Sequence, residues 1–409
     1  MTRVPELRFD GFAGEWEENI FDNLAEYKKG PFGSALKKSI FVPKSNETVK
    51  VYEQQNAIEK NWELERYFIT REYANKMENF NVGPGDLIVS CAGTIGEMYE
   101  LPNSAEEGII NQALMRIRVK DAIDKRFFNH IFDKMIGKSS ARLSNGSAIK
   151  NIPPFSDLKP HKTYVPIYNE QEKIGDLFSK IDQLIENQQE LVDQTMAFKK
   201  SMLQKMFPKK DSLVPKFRFD GFDNDWMYTK LDDILIKNNK KNKKLEIDYV
   251  ESVSNKHGFI KQTEQFEGYQ LASADLSNYY IIEPKTFAYN PSRINVGSIG
   301  YKKSFDKTSV VSPLYVSFST KELIDDYFIW YLFKTDNFEQ QRAKFSEGGV
   351  RDTLSFNALS NFEMKIPTFK EQEKIGNFFK KIDKKIAKEE KLLELYKDMK
   401  KSLLQKMFV

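Results

Sequence analysis

The amino-acid sequence is written twice, and this duplication limits the possible folds more than any other feature. Val4-Pro5-Glu6-Leu7-Arg8-Phe9-Asp10-Gly11-Phe12 returns 210 residues later as Val214-Pro215-Lys216-Phe217-Arg218-Phe219-Asp220-Gly221-Phe222, and Trp16 and Trp226 keep that interval. Glu170-Gln171-Glu172-Lys173-Ile174-Gly175 returns 201 residues later as Glu371-Gln372-Glu373-Lys374-Ile375-Gly376. Lys199-Lys200-Ser201-Met202-Leu203-Gln204-Lys205-Met206-Phe207 returns as Lys400-Lys401-Ser402-Leu403-Leu404-Gln405-Lys406-Met407-Phe408. A period near 200 residues is too long for a solenoid unit and fits a whole domain copied once. The middles have diverged, yet Gly93-Thr94-Ile95-Gly96 answers Gly297-Ser298-Ile299-Gly300, and Phe155 and Leu158 answer Phe356 and Leu359. Within one chain, parts that stay alike meet the same partner or pack on each other. Parts that differ are free to recognise different things.

Each half therefore reads as a leading segment, a variable middle and a long helix. Ile174, Phe178, Ile181, Ile185, Val192, Met202 and Met206 recur at spacings of three and four or their sums, with Gln188, Thr195 and Lys199 as the non-apolar positions of the stripe. The second copy carries Ile375, Phe379, Ile382, Ile386, Leu393, Tyr396, Leu403 and Met407. Neither stripe is broken by Pro or Gly after Gly175 or Gly376, so each predicts a helix of roughly 55 Å, a length that suits a coiled coil. A second apolar row, Leu177, Leu184, Leu191 and Phe198, widens the face beyond one seam and leaves room for a further helical partner. Pro208 ends the first helix. Strands are predicted at 86–90, 113–119, 287–289 and 314–318, and short helices at 126–135 and 324–333. The resulting division is a globular domain at 1–165, a long helix at 166–207, a linker at 208–213, a second globular domain at 214–366 and a second long helix at 367–409. The fold class is α/β (α+β), with two globular domains in tandem repeat separated by two long coiled-coil helices.

The chemistry of an enzyme is missing from the sequence. His130, His161 and His257 are far apart, and Cys91 is the single cysteine, so no zinc cluster of standard spacing and no internal disulfide is available. No phosphate loop, nucleophile elbow or dinucleotide fingerprint occurs. Asn151-Ile152-Pro153-Pro154-Phe155 comes near the Asn/Asp-Pro-Pro-Tyr/Phe pattern of adenine methyltransferases. Ile152, however, offers no hydrogen bond where a flipped base needs one, and this reads as a turn. The first residues contain no apolar leader, and no apolar run of about 20 residues spans a membrane. A reducing cytoplasm fits.

Several loops carry side chains suited to nucleic acid. Asn290, Ser292, Arg293 and Asn295 follow a strand in Tyr289-Asn290-Pro291-Ser292-Arg293-Ile294-Asn295; Asn and Arg pair bidentately with adenine and guanine edges. Arg351 lies in a Gly-rich loop, and Asn145, Ser147 and Lys150 hold the matching place in the first half. Arg142 and Arg342 correspond, and Thr94 sits in the first Gly-x-x-Gly loop. That loop reads either as a phosphate-facing turn or as a tight hairpin. Lys240 and Lys241 belong to a run, Lys237 to Lys244, able to track phosphates or simply to be solvated. The net charge of +4, from 63 basic and 59 acidic residues, permits nucleic acid without requiring it.

Taken together, the leading segment with Arg8-Phe9 and Trp16, the Gly93-Thr94-Ile95-Gly96 segment followed by Ile110-Asn111-Gln112-Ala113-Leu114, the segment 287–297, and Glu170-Gln171-Glu172-Lys173-Ile174 with its copy resemble the specificity (S) subunits, HsdS, of Type I restriction-modification systems, over essentially the whole chain. The resemblance implies two target recognition domains, each reading half of a split site in double-stranded DNA, and two antiparallel helices acting as a spacer. It implies two modification (M) subunits that bind S-adenosylmethionine and methylate adenine, and restriction (R) subunits that use ATP and Mg. No cofactor and no catalytic residue is then expected in this chain. Ile174, Phe178, Ile181, Ile375, Phe379 and Ile382 are the candidate partner-binding positions. The first middle departs from the second in having Ser90-Cys91-Ala92 where the longer Asn290 loop stands. The rival readings are a helical scaffold that reads no DNA and a methyltransferase that recognises its own site.

Overall fold

The computed structural model describes residues 3–143, 152, 154–255, 258–262, 275–345 and 353–409, with backbone alone for 138–143 and 345. Its two compact units are Met1–Asn187 with Leu393–Val409, and Gln188–Leu392. The units thus differ from a linear division of the sequence. The first long helix, Tyr168–Met206, and the second, Phe369–Met407, each begin in one unit and end in the other.

The repeated segments explain this arrangement. In the first unit the Leu7 amide donates to the Lys406 carbonyl at 2.9 Å, and Trp16 is buried edge-on against Phe127 and Phe408. In the second unit the Phe217 amide donates to the Lys205 carbonyl at 2.9 Å, and Trp226 is buried edge-on against Phe207 and Phe328. The leading segment and the Lys-Met-Phe helix end are therefore the two sides of one contact, made twice. Within each unit the helix segments run antiparallel. Asp182 meets Lys400 at 2.5 Å in the first unit, and Asp383 meets Lys199 at 2.5 Å in the second.

The repeated helix start is a lock as well. Glu170 is buried and accepts from Arg8 Nε and Nη2, both at 2.7 Å. Glu371 accepts from Arg218 Nε and Nη2, both at 2.8 Å. Gln171 accepts from the Asp124 amide and donates to the Pro166 carbonyl; Gln372 does the same with Asp325 and Pro367. Lys173 and Lys374 lie over the rings of Phe12 and Phe222. A Cβ on Gly175 would stand 2.7 Å from Asp124 Oδ1, and one on Gly376 would strike Asp325 and Phe328, so only glycine permits the close approach. The non-apolar stripe positions have local roles too: Gln188 Nε2 donates to the Glu389 carbonyl and Thr195 Oγ1 to that of Leu191.

A four-stranded antiparallel sheet recurs in both middles. In the first unit its order is Ala25–Lys29, Leu114–Val119, Leu87–Ser90, Met98–Glu100. In the second it is Leu235–Lys237, Val316–Thr320, Phe287–Tyr289, Ile299–Tyr301. A helix packs beside each, Lys125–Leu143 or Asp326–Leu332. The pairs Glu17–Ile20 with Lys162–Val165, and Met227–Lys230 with Glu363–Ile366, close each middle. Divergence lies in the remaining strands. The first unit has a second four-stranded sheet, Tyr67–Thr70, Thr48–Tyr52, Gly108–Ile110, Asn81–Val82, with one parallel pair. Among the described residues the second has two two-stranded antiparallel pairs instead, Glu251–Ser254 with Gly258–Lys261 and Tyr280–Ile282 with Ser309–Val311.

Candidate nucleic-acid interface

The loop 290–298 joins two neighbouring strands of the second unit's main sheet, and its shape is set from beneath. Asn290 Oδ1 accepts from the Ser292 amide at 3.0 Å, the Arg293 amide donates to the Asn290 carbonyl, and Gly297 takes a φ of +82°. Buried Tyr289 donates its hydroxyl to the Leu354 carbonyl, while the Leu354 amide donates to the Pro291 carbonyl. Ile294 is buried, so Ser292, Arg293 and Asn295 are left exposed on a fixed frame. Asn290 is thus a turn-former, and three of the four residues remain available to a base edge. Tyr289 and Leu354, which fix this loop, were not expected in that role from the sequence.

The same loop forms one wall of a cleft of about 1220 Å³. Asn295 lines it together with the inter-sheet loop 302–307, the helix Asp326–Leu332 and the long-helix residues Lys199, Lys380 and Asp383. Phe305, 81% exposed, stands in that loop between Lys303 and Lys307. Of the lysines on this wall, Lys199 belongs to the repeated helix end, while Lys303, Lys307, Lys334 and Lys384 lie in no motif that marks them in the sequence.

The Gly-x-x-Gly segments are hairpin features. Gly93 and Gly96 have φ of +69° and +84°, and Gly96 would press a Cβ to 3.2 Å from Ile136. Gly300 lies against the Phe259 ring, where a Cβ would come within 3.0 Å. Close packing and left-handed turns account for these glycines, in favour of the hairpin reading. Thr94 is exposed in its loop.

Other expectations need correction. Lys240 pairs with Glu283 at 2.5 Å, Lys241 lies over the Tyr280 ring, and Asn238 and buried Asn242 donate to backbone carbonyls. The Lys-Asn run is therefore anchored on its own domain; Lys240 shares its charge with a carboxylate, while Lys241 is seated on a ring and forms no ion pair among the described residues. Arg342 is buried with its guanidinium on Glu339, at 2.6 and 2.8 Å, which removes it from the surface. Asn145, Ser147, Lys150, Arg351 and His257 lie outside the described residues, as does the side chain of Arg142. Ile152 is buried and its amide donates to the Cys91 carbonyl, as a turn would have it.

The six candidate partner-binding residues are also corrected. Ile174, Phe178, Ile181, Ile375, Phe379 and Ile382 are all buried in the cores of their units, so no partner reaches them. The large apolar side chains left exposed on the long helices are Tyr168 at the first helix's start, then Leu184, Leu191, Met196, Phe198, Leu395 and Met399. Among the described residues no group of His, Cys, Asp and Glu is placed to hold a metal ion, and no helix is long and apolar enough to cross a membrane. Burial pushes the Cys91 thiol up to about 12, and burial, with Lys400 nearby, pushes the His130 imidazole down to about 4, so neither is poised for chemistry at neutral pH.

Comparison with known proteins adds two findings. The family model for the Type I restriction modification DNA specificity domain matches residues 14–194 and 223–396. Among solved structures, the chain is similar to the S subunit of a Type I restriction-modification system from M. genitalium, at 17% identity and a TM-score of 0.60 over 99% of each chain. It is also similar to a chain from a structure on complex assembly and conformational transition of the type I R-M system. There the identity is 12% and the TM-score 0.54, over 96% of this chain and 97% of that one. At such identities the likeness is one of fold.

Proposed function

We infer the function from the family: the chain belongs to the Type I restriction modification DNA specificity domain family, through both of its halves. It is a DNA-specificity subunit of mixed α/β fold with two tandem specificity domains and two long helices. Beyond this, the proposed reading is that each domain recognises one half of a bipartite site in double-stranded DNA. The chain positions two modification subunits, which supply S-adenosylmethionine and methylate adenine, and restriction subunits, which use ATP and Mg. It works in the cytoplasm and contributes no cofactor or catalytic group of its own.

One observation carries the reading. The locks are repeated nearly residue for residue and the main sheet strand for strand in its order, while the loops at matching sheet positions differ: 91–97 is short and 290–298 longer. A duplicated frame with two different loops is suited to reading two different sequences. The exposed row Leu184, Leu191 and Phe198 supports a helical partner on the first long helix. Selection of DNA from a random library by the complex with modification subunits, at physiological salt, tests this. Two short motifs at a fixed spacing are expected among the retained sequences. Equal retention of all sequences contradicts the reading, since phosphate contacts alone confer no preference.

A further inference from the structure

At the 201-residue interval, the residues of this cleft have counterparts in the first unit. The frame is kept: the Lys199–Asp383 pair answers the Lys400–Asp182 pair. The cations are not kept. Lys334 stands 3.9 Å from the ring centroid of Trp330, and Lys380 stands 4.1 Å from that of Tyr327. Their counterparts are Asp133 with Asn129, and Ser179 with Arg126. Arg126 is already engaged by Asp124 at 2.7 Å and by Asp176.

A lysine seated on an aromatic face is held in place without a carboxylate, so the outer side of its charge stays free for an anion. Neither Lys334 nor Lys380 forms an ion pair among the described residues. Of the carboxylates on the wall, Glu251, Asp383 and Glu339 are paired with Lys302, Lys199 and Arg342. Among the described residues, that leaves Asp306 and Asp336 against Lys303, Lys307, Lys334, Lys380 and Lys384. Although Lys334 as a residue is exposed, desolvation of its ammonium in the cleft, with Lys199 nearby, pushes it down to about 8. An incoming anion relieves that cost. In the first unit desolvation instead pushes the Asp133 carboxyl up to about 6.

We propose that this cleft is a backbone clamp in which Lys334 and Lys380, seated on Trp330 and Tyr327, take phosphates of one DNA strand, and that the first unit lacks its equivalent. The proposal rests on the DNA reading above. Asn295 on the same wall then lies next to the strand so held. The clamp contributes affinity and register and no base preference.

The test uses the full chain assembled with its modification subunits, binding DNA that contains the complex's own site, across a range of salt concentrations. In the K334A/K380A variant the slope of log affinity against log salt is expected to flatten by about 1.8, as two lost phosphate contacts require. The preferred sequence should not change. K334Q alone, a milder change, should flatten it by about 0.9. An unchanged slope in an assembled variant overturns the clamp. Failure of the variant to assemble, with its fold intact by circular dichroism, also overturns it, since the cleft then faces a protein. If the unmodified complex binds no DNA, the parent reading falls and the clamp with it.

Discussion

Glu371→Ala is expected to lower stability by about 3–5 kcal/mol, the usual cost of removing one partner of a buried ion pair. Glu371 is 1% exposed and Arg218 13%, and the guanidinium also donates to the Asn224 carbonyl. Without the carboxylate, Arg218 remains inside with two donors unmet. This effect belongs to the stranded charge and is no measure of the pair's net worth. Replacing both partners by apolar residues, as in R218M/E371L, is therefore expected to recover most of the loss. Glu170→Ala should behave alike through Arg8. Urea denaturation of the full chain measures both, read as transition midpoints because a chain of two units need not unfold in one step. A loss below about 1 kcal/mol would place the pair among ordinary surface ion pairs.

Arg293→Ala, or Asn295→Ala, is expected to relax one position of one half-site and leave the other half-site untouched. A bidentate base contact contributes about 1–3 kcal/mol of discrimination, a factor of roughly 10 to 100 against the wrong base. Both side chains are exposed on a loop whose backbone is fixed by Asn290, Tyr289 and Leu354, so their loss should not disturb the fold. Library selection with the variant complexes reads the outcome position by position. Unchanged preference everywhere would remove these two residues from base readout. Loss in both half-sites would indicate a general defect.

Much of the architecture was legible because the repeats are close and the helical stripes long. The strand at 287–289 and the long helices fall where the pattern puts them. The strand expected at 314–318 begins two residues later, at Val316, because Ser312 caps a turn by accepting from the Leu314 amide and leaves Leu314 exposed. The helix expected to stop at Met135 runs to Leu143, since Gly137 is tolerated inside it. The repeated Glu-Gln-Glu-Lys-Ile-Gly pointed to a shared role, but its role as a lock depended on Arg8, Asp124 and Pro166, which only the fold brings to it. The same holds for the stripe. Periodicity found Ile174 and Ile375 but could not say that their own domains, and not a partner, cover them. Lys334 and Lys380 were least visible. A lysine four residues from an aromatic, as Lys334 is from Trp330, is common, and Lys380 meets Tyr327 only through the fold; the two stand out only when set against Asp133 and Ser179.

The most direct test of the central claim is genome-wide adenine-methylation mapping in cells expressing this chain with its neighbouring modification subunit. A two-part motif with an unspecified spacer, lost when the chain is deleted and altered in one half by Arg293→Ala, is the predicted result. An active modification subunit whose methylated motifs are unchanged by the deletion would contradict it.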